Sequence, residues 1–267
     1  MQTTTAFLGA TGGCVNSCLA HSLQNGFYAV ALARTPSKLT SMLLSQGLVK
    51  ETLDRQLRII QGDATDPAAI KATLLNTTTT SDGTPELVSS IISGIGGLPT
   101  VRKMRIEFDH PHICEETTQA LLTALREIYA EYPSLPETQS KPLLTVISGM
   151  GIEPNNRDDV PWLIRWPFHA LLHIPHADKW RMEEILAEKE PRSLFTGVVV
   201  VRPGSLLTGD HTIKSGKGLE TVRVGTGSGT PVVGYTISRA DVGEWVFREI
   251  MVEGGQKWID EKVSLTN

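Results

Sequence analysis

Gly9-Ala10-Thr11-Gly12-Gly13 is the stretch whose residue types point most directly to chemistry. It follows the short apolar run Thr4–Leu8 and opens a helical pattern that Asn25-Gly26 stops. Gly9 permits a tight turn, and Gly12 or Gly13 lets the backbone approach a pyrophosphate. The helix start then offers free N–H groups and the positive end of its dipole. The contacts expected here are Gly9, Thr11, Gly12, Gly13, Cys14 and Val15, against the alternative of an ordinary glycine-rich turn. A strand-end acid about 20 residues further on would hold a ribose 2′-hydroxyl. In its place stands Ala33-Arg34-Thr35-Pro36-Ser37-Lys38. Arg34 can stack on adenine and pair with a 2′-phosphate, with Thr35 and Lys38 as further donors, so the balance favours NADP(H) over NAD(H). After the next strand, Asp63 is placed to accept from an adenine amino group and Ala64 is small enough to lie under the ring. Ser93, Gly94, Ile95 and Gly96 close a fourth strand, where backbone can run close to the cofactor riboses.

These loops need parallel strands to position them. Strand patterns cover Thr4–Leu8, Tyr28–Ala33, Leu57–Gln61, Glu86–Ser93, Leu143–Ser148 and Thr196–Arg202. Helical patterns cover Val15–Gln24, Pro36–Leu48, a segment from Pro67 capped by Asp66, Cys114–Tyr129 and Asp178–Glu188. Such alternation predicts an α/β fold, a doubly wound parallel sheet. Further on, Val222–Val224, Val232–Tyr235 and Lys257–Ser264 read as strands and Ala240–Met251 as a helix, while the Thr-rich Thr77–Pro85 reads as a surface loop. We expect one domain over 1–267, with the cofactor half at about 1–150 and the substrate region mainly in 151–180 and 204–236. Hydrophobic residues at 40% and charged residues at 20% exclude a disordered chain, and a net charge of −4 argues against nucleic-acid binding. Three cysteines form no disulfide or zinc pattern, and the chain shows neither a signal peptide nor a run of apolar residues long enough for a membrane span. A cytoplasmic protein is expected.

The elements GATGG (9–13), ARTPSKL (33–39), GDATD (62–66), SGIGG (93–97), TVISGMG (145–151), VVVRPGSL (199–206) and GYTISRADVGEWVF (234–247) run in order through nearly the whole chain. Together they resemble the atypical short-chain dehydrogenase/reductase superfamily, and within it the NmrA-like NAD(P)-binding group common in fungi. The resemblance implies a Rossmann-like fold with a small C-terminal substrate-binding region. Two departures stand out. Val15 falls where the third fingerprint glycine would be, so helix–strand packing is expected to be looser or shifted there. The tyrosine–x-x-x–lysine pair of ordinary short-chain reductases is missing, because the matching helix reads His173-Ile174-Pro175-His176-Ala177-Asp178-Lys179.

Hydride transfer to a carbonyl leaves an oxyanion that needs a proton or a positive group. Ser148 matches the family's serine position and is a candidate to hold a carbonyl oxygen. His176 titrates near neutrality and is the candidate acid. Lys179 is a candidate for a nicotinamide-ribose contact or proton donation; each of the three also has a purely structural reading. Pro203 and Ser205 close the sixth strand, where backbone amides can meet the nicotinamide carboxamide. The apolar stretch from Val160 to His173 offers Trp162, Trp166 and Phe168 to a flat apolar substrate, and reads equally as a buried helix or a homodimer face. Asp109-His110-Pro111-His112 with Cys114 fits no common metal spacing; Pro111 reads as a first helical residue with Asp109 or His110 capping. Arg239 and Asp241 read as a structural pair at a helix start.

The functional expectation is an NADP(H)-dependent oxidoreductase acting on an apolar carbonyl, enone or quinone-like small molecule, with a role in secondary metabolism implied by the resemblance. Two rivals are a dinucleotide-sensing regulator without catalysis and an isomerase or cyclase on the same fold.

Overall fold

The computed structural model describes residues 3–79, 85–97, 99–102, 105–154 and 159–267. The first half runs β1 (Thr4–Leu8), α1 (Gly13–Gln24), β2 (Tyr28–Ala33), α2 (Pro36–Ser45), α3 (Lys50–Gln56), β3 (Leu57–Gln61), α4 (Pro67–Leu74), β4 (Leu75–Thr79), β5 (Pro85–Leu87), β6 (Ser90–Ser93), β7 (Pro99–Arg102), β8 (Arg105–Phe108) and α5 (Ile113–Glu131). The second half continues with α6 (Leu135–Thr138), β9 (Leu143–Ile147), α7 (Trp162–Ala187), α8 (Lys189–Ser193), β10 (Gly197–Pro203), β11 (Leu206–Thr208), β12 (Arg223–Thr226), β13 (Thr236–Ser238), α9 (Arg239–Val246) and β14 (Lys262–Thr266).

The described strands form a central eight-stranded sheet in the order β3-β2-β1-β6-β9-β10-β14-β12. All neighbours are parallel except β12, which lies antiparallel on β14. This is the expected Rossmann-like, doubly wound α/β sheet. β10 shows why: all seven of its residues are buried. Val199 and Val201 join the core under α1 and α9, while Val198 and Val200 join the core under α5 and α7. A strand covered on both faces needs a continuous apolar run, which Gly197–Val201 supplies. On one face α1 and α9 pack so closely that a Cβ on Gly243 would lie 2.4 Å from the Cys14 carbonyl oxygen.

Several boundaries differ from expectation. Of the loop expected at Thr77–Pro85, residues 80–84 lie outside the described residues, and Thr77–Thr79 and Pro85 are strand. β4 and β5 pair antiparallel, Leu75 with Leu87 and Thr79 with Pro85, because β-branched threonines suit an extended backbone. Glu86 and Leu87 belong to that hairpin, so the central strand begins only at Ser90. The helix of Pro36 stops at Ser45, and α3 follows a turn in which Gly47 has φ +91°. α7 starts at Trp162 rather than Asp178, and its internal break at Leu172 (φ −111°, ψ 18°) lies three residues before Pro175. Proline inside a helix removes one N–H and crowds the preceding turn, so it bends this helix without ending it. The strand expected at Val232–Tyr235 forms at Thr236–Ser238, and the last strand is Lys262–Thr266. α9 ends at Val246, and the chain continues into a π-helical turn over Phe247–Val252.

Candidate functional site

The strand order reverses between β1 and β6, and their carboxyl ends open a crevice there. Gly9 ends β1 with φ +80°, a conformation that favours glycine. A Cβ on it would also come within 2.9 Å of the Gly94 carbonyl oxygen. The two loops are tied where Gly94 N–H donates to the Leu8 carbonyl at 3.0 Å, and the turn closes where Gly12 N–H donates to the Gly9 carbonyl at 2.8 Å. α1 then starts with Gly12 as its capping residue, with no side-chain cap and no acid in its first turn. Its leading N–H groups are therefore left for a ligand.

Val15 explains the departure from the glycine fingerprint. It is 1% exposed, and a Cβ on Gly94 would lie 2.4 Å from its Cγ2. The close approach normally given by a glycine on the helix is kept here by a glycine on the facing loop. Packing is shifted rather than loosened.

Gly9, Thr11, Gly12, Arg34, Lys38, Asp63, Ala64, Gly94, Ile95 and Gly96 all line this crevice, which has a volume of about 280 Å³. Asp109 and His110 reach it too. Gly13, Cys14, Val15, Thr35, Ser93, Ser148, Pro203 and Ser205 do not line it. Cys14, Val15 and Ser93 are buried, so they offer backbone rather than side chains. Thr35 precedes α2, where its carbonyl accepts from Lys38 N–H. Asp63 uses Oδ1 to accept from Thr65 N–H (3.0 Å) and the Thr65 hydroxyl (2.9 Å). The Thr65 N–H chiefly holds its carboxyl below the ordinary value, with the charges of Arg34 and His110 adding. Asp66 caps α4 through Ala68 N–H, as expected.

A second group gathers at the ends of β9 and α5. Lys179, on α7, donates from Nζ to the Ser148 carbonyl at 2.5 Å. Ser148 is buried, and among the described residues its Oγ has no partner; the same holds for Ser205 Oγ. His176 lies one turn before Lys179, with its ring 5.5 Å from that of His169. The Cys114 thiol donates to the Ile95 carbonyl at 3.4 Å, and burial pushes its pKa up to about 12. It stays a thiol and no nucleophile.

Asp178 was missed by the sequence reading. Both its oxygens are used, accepting from Cys114 N–H and Glu115 N–H at 2.9 Å each. It therefore caps α5 from another helix, in place of the Asp109 or His110 cap that Pro111 implied; α5 begins at Ile113, preceded by His112. The available signal was an acid at the i position of the apolar stripe Asp178, Met182, Ile185. Arg202 was missed as well. Its Nε and Nη2 form a fork on buried Glu183 (3.1 and 2.5 Å) and its Nη1 reaches Glu153 (2.8 Å), pinning α7 to β10. Buried Asn16 spans from the Ala10 carbonyl to Gln46, fixing the glycine loop against α2.

Trp162 and Trp166 are 80% and 82% exposed. They border a shallow hollow with Arg165, His169 and Ala170, and neither lines the crevice. The Phe168 side chain lies outside the described residues. Among the described residues no group of histidine, cysteine and acidic side chains is arranged to hold a metal. No helix of the described residues is long and apolar enough to cross a membrane.

A glycine cradle, an uncapped helix start and a basic strand end fit a dinucleotide with its phosphates at α1. No protein-family model matches the chain. Two fungal proteins do, along nearly their whole lengths. The chain is 62% identical to oxidase pynE of Aspergillus niger, covering 98% of both chains. It is 38% identical to reductase pytE of Aspergillus terreus, covering 98% of this chain and 97% of that one. The chain belongs to their family. Solved structures agree on the fold. The oxidoreductase ylbE from Lactococcus lactis superposes with a TM-score of 0.60 at 15% identity, over 99% of this chain and 91% of that one. The anaerobillin reductase ChuY from Escherichia coli O157:H7 gives 0.56 at 15% identity, over 98% and 96%.

Proposed function

We propose that the chain is a cytoplasmic NADP(H)-dependent oxidoreductase of the NmrA-like type, reducing an apolar carbonyl, enone or quinone-like small molecule in secondary metabolism. The observation that carries this is the crevice at the β1/β6 reversal, where Arg34 and Lys38 stand at the end of β2 and no acid does. The names of the two relatives, an oxidase and a reductase, support the redox part. When bound, the nicotinamide supplies or accepts the hydride.

The chain's residues do the rest. Gly9, Thr11, Gly12 and the α1 N–H groups hold the diphosphate. Arg34 and Lys38 read the 2′-phosphate, with Arg34 forking on it. Asp63, with one oxygen beyond its Thr65 bonds, and Ala64 receive the adenine. Lys179 brings positive charge to the Ser148 end of β9. Such charge stabilises a developing oxyanion and orients a ribose hydroxyl. His176 is the titratable candidate for the proton, and Trp162 and Trp166 for the substrate wall.

Fluorescence titration with NADPH and NADH tests the cofactor half. Wild type binds NADPH more tightly, and Arg34→Ala weakens NADPH about 10- to 100-fold while leaving NADH nearly unchanged. Equal weakening of both removes the 2′-phosphate assignment. An absorbance screen with ketones, enones and quinones tests the redox half. Oxidation of NADPH by one acceptor class is the expected result, and binding without turnover by any of them points to a regulator instead.

A further inference from the structure

We propose that Arg239 is a second cation of the cofactor site, binding the diphosphate beside the first turn of α1. The inference rests on the dinucleotide reading above and adds a residue to it. Read from sequence, Arg239 is a structural partner of Asp241, and the structure separates the two. The Asp241 carboxylate accepts from Lys217 N–H and Gly218 N–H at 2.9 and 3.0 Å, and its own N–H is bonded to Ser238 Oγ. Arg239 turns the other way. Its Nη1 donates to the carbonyls of Leu207 (2.9 Å) and Gly209 (2.7 Å), and its stem lies across Gly13. A Cβ on Gly13 would come within 2.3 Å of Arg239 Cδ, so glycine is needed there to admit the arginine.

The electrostatics of that position are unusual. A helix N-terminus carries about half a positive charge and favours anions. Here the stem of a half-buried arginine lies against it. Among the described residues no carboxylate pairs with Arg239, and only its Nη1 has acceptors. Burial pushes the Cys14 thiol up to about 11, and the charges of Arg239 and Lys179 both pull against that rise. An arginine and a helix start thus meet at Gly13, and the first turn of α1 has no acid to balance that charge. An arginine and the positive end of a helix repel until an anion sits between them. A diphosphate matches that demand: one phosphate takes the α1 N–H groups and the other the free edge of the guanidinium fork.

The full-length protein is titrated calorimetrically with NADPH, NADH and inorganic pyrophosphate, using wild type, Arg239→Met, Arg239→Lys and Gly13→Ala. Thermal unfolding without ligand checks that each variant is folded. Arg239→Met weakens all three ligands by about 10- to 100-fold, without the NADPH-over-NADH bias of Arg34→Ala. Arg239→Lys keeps the charge but not the fork and falls between. Gly13→Ala keeps the charge but displaces the side chain, and loses affinity like Arg239→Met. Folded Arg239→Met or Arg239→Lys binding every ligand as wild type does overturns the proposal and leaves Arg239 as a brace for the 207–209 turn. If wild type binds neither nucleotide, the dinucleotide reading fails by itself. Pyrophosphate binding that Arg239→Met abolishes then still supports an anion site, and no pyrophosphate binding overturns it.

Discussion

Gly94→Ala is the substitution with the most to say about how the crevice is built. Its backbone φ lies outside the left-handed range, so alanine fits the backbone and only space is at issue. The new Cβ would sit 2.4 Å from Val15 Cγ2 and 3.4 Å from Ile147 Cδ1. Carbon atoms pack at roughly 3.5–4.0 Å, so Val15 must retreat by about an ångström or more. It is fully enclosed, and overpacking of this kind costs about 1–3 kcal/mol. Val15→Ala alone removes two buried methyl groups and costs about 1.5–2.5 kcal/mol. Independent effects would sum to about 2.5–5.5 kcal/mol in the double variant. The geometry predicts otherwise: with Cγ2 gone, the clash is gone and the new methyl partly fills the space. The double variant should lose no more than Val15→Ala alone, a coupling of at least about 1 kcal/mol. Urea unfolding of wild type, both singles and the double measures it. NADPH affinity should follow the same pattern, falling in Gly94→Ala and recovering in the double, because displaced Val15 carries the first turn of α1 with it. Effects that add to within about 0.5 kcal/mol would refute the argument that Gly94 does the work of the third fingerprint glycine.

Asp178→Ala leaves the Cys114 and Glu115 N–H groups without their acceptor and should cost about 2–4 kcal/mol in urea unfolding, with Asp178→Asn in between. Because Lys179 is the next residue, steady-state kinetics should show turnover falling more than NADPH affinity; equal losses would mean that Asp178 only holds α5. Asp159 supplies a pH test. Burial pushes its carboxyl above the ordinary value, against the Gly151 N–H that it accepts at 2.9 Å. A raised folded-state pKa means that the native state holds the proton more tightly than the unfolded chain. This contribution is present at low pH and is lost as pH rises from the ordinary carboxylate range through the raised value. Asp159→Asn should therefore be more stable than wild type near pH 7, with the gap closing toward pH 3. A gap that widens on acidification would show the sign to be wrong.

The turns and strand ends that line the crevice were legible because their signals are local. A glycine turn between a strand and a helix, or a basic strand end, involves residues within a few positions of one another. Asp66 before Pro67 is of the same kind, and its cap forms as read. What escaped depends on partners distant in the chain. Asp178 caps α5 across 64 residues, and Arg239 binds carbonyls 30 and 32 residues away. Sequence shows the charge but not the acceptor. The helix read at Asp178–Glu188 is the second half of α7: packing of α7 on α5 outweighs the local cost of Pro175, so the helix bends instead of stopping. The Val15 departure was visible, but its compensation lay 79 positions away at Gly94.

The missing tyrosine narrows the chemistry on the reading proposed above. Lys179 is kept, anchored on the Ser148 carbonyl, while the position one turn earlier is Pro175, which carries no proton to give. The cationic half of the usual pair survives and the acidic half does not. A simple ketone taking up hydride becomes a strongly basic alkoxide, and a proton must arrive as the charge develops. An enone or a quinone spreads the charge into an enolate or a phenolate, far weaker bases that a nearby ammonium can stabilise until water protonates them. A site with positive charge but no placed tyrosine thus suits acceptors with a delocalised product anion. In the absorbance screen quinones and enones should therefore lead, with unactivated ketones well behind. His176→Ala should then leave quinone turnover nearly intact. A site that reduces simple ketones best must have a proton donor after all, and His176, one turn before Lys179, is where the search for it would begin.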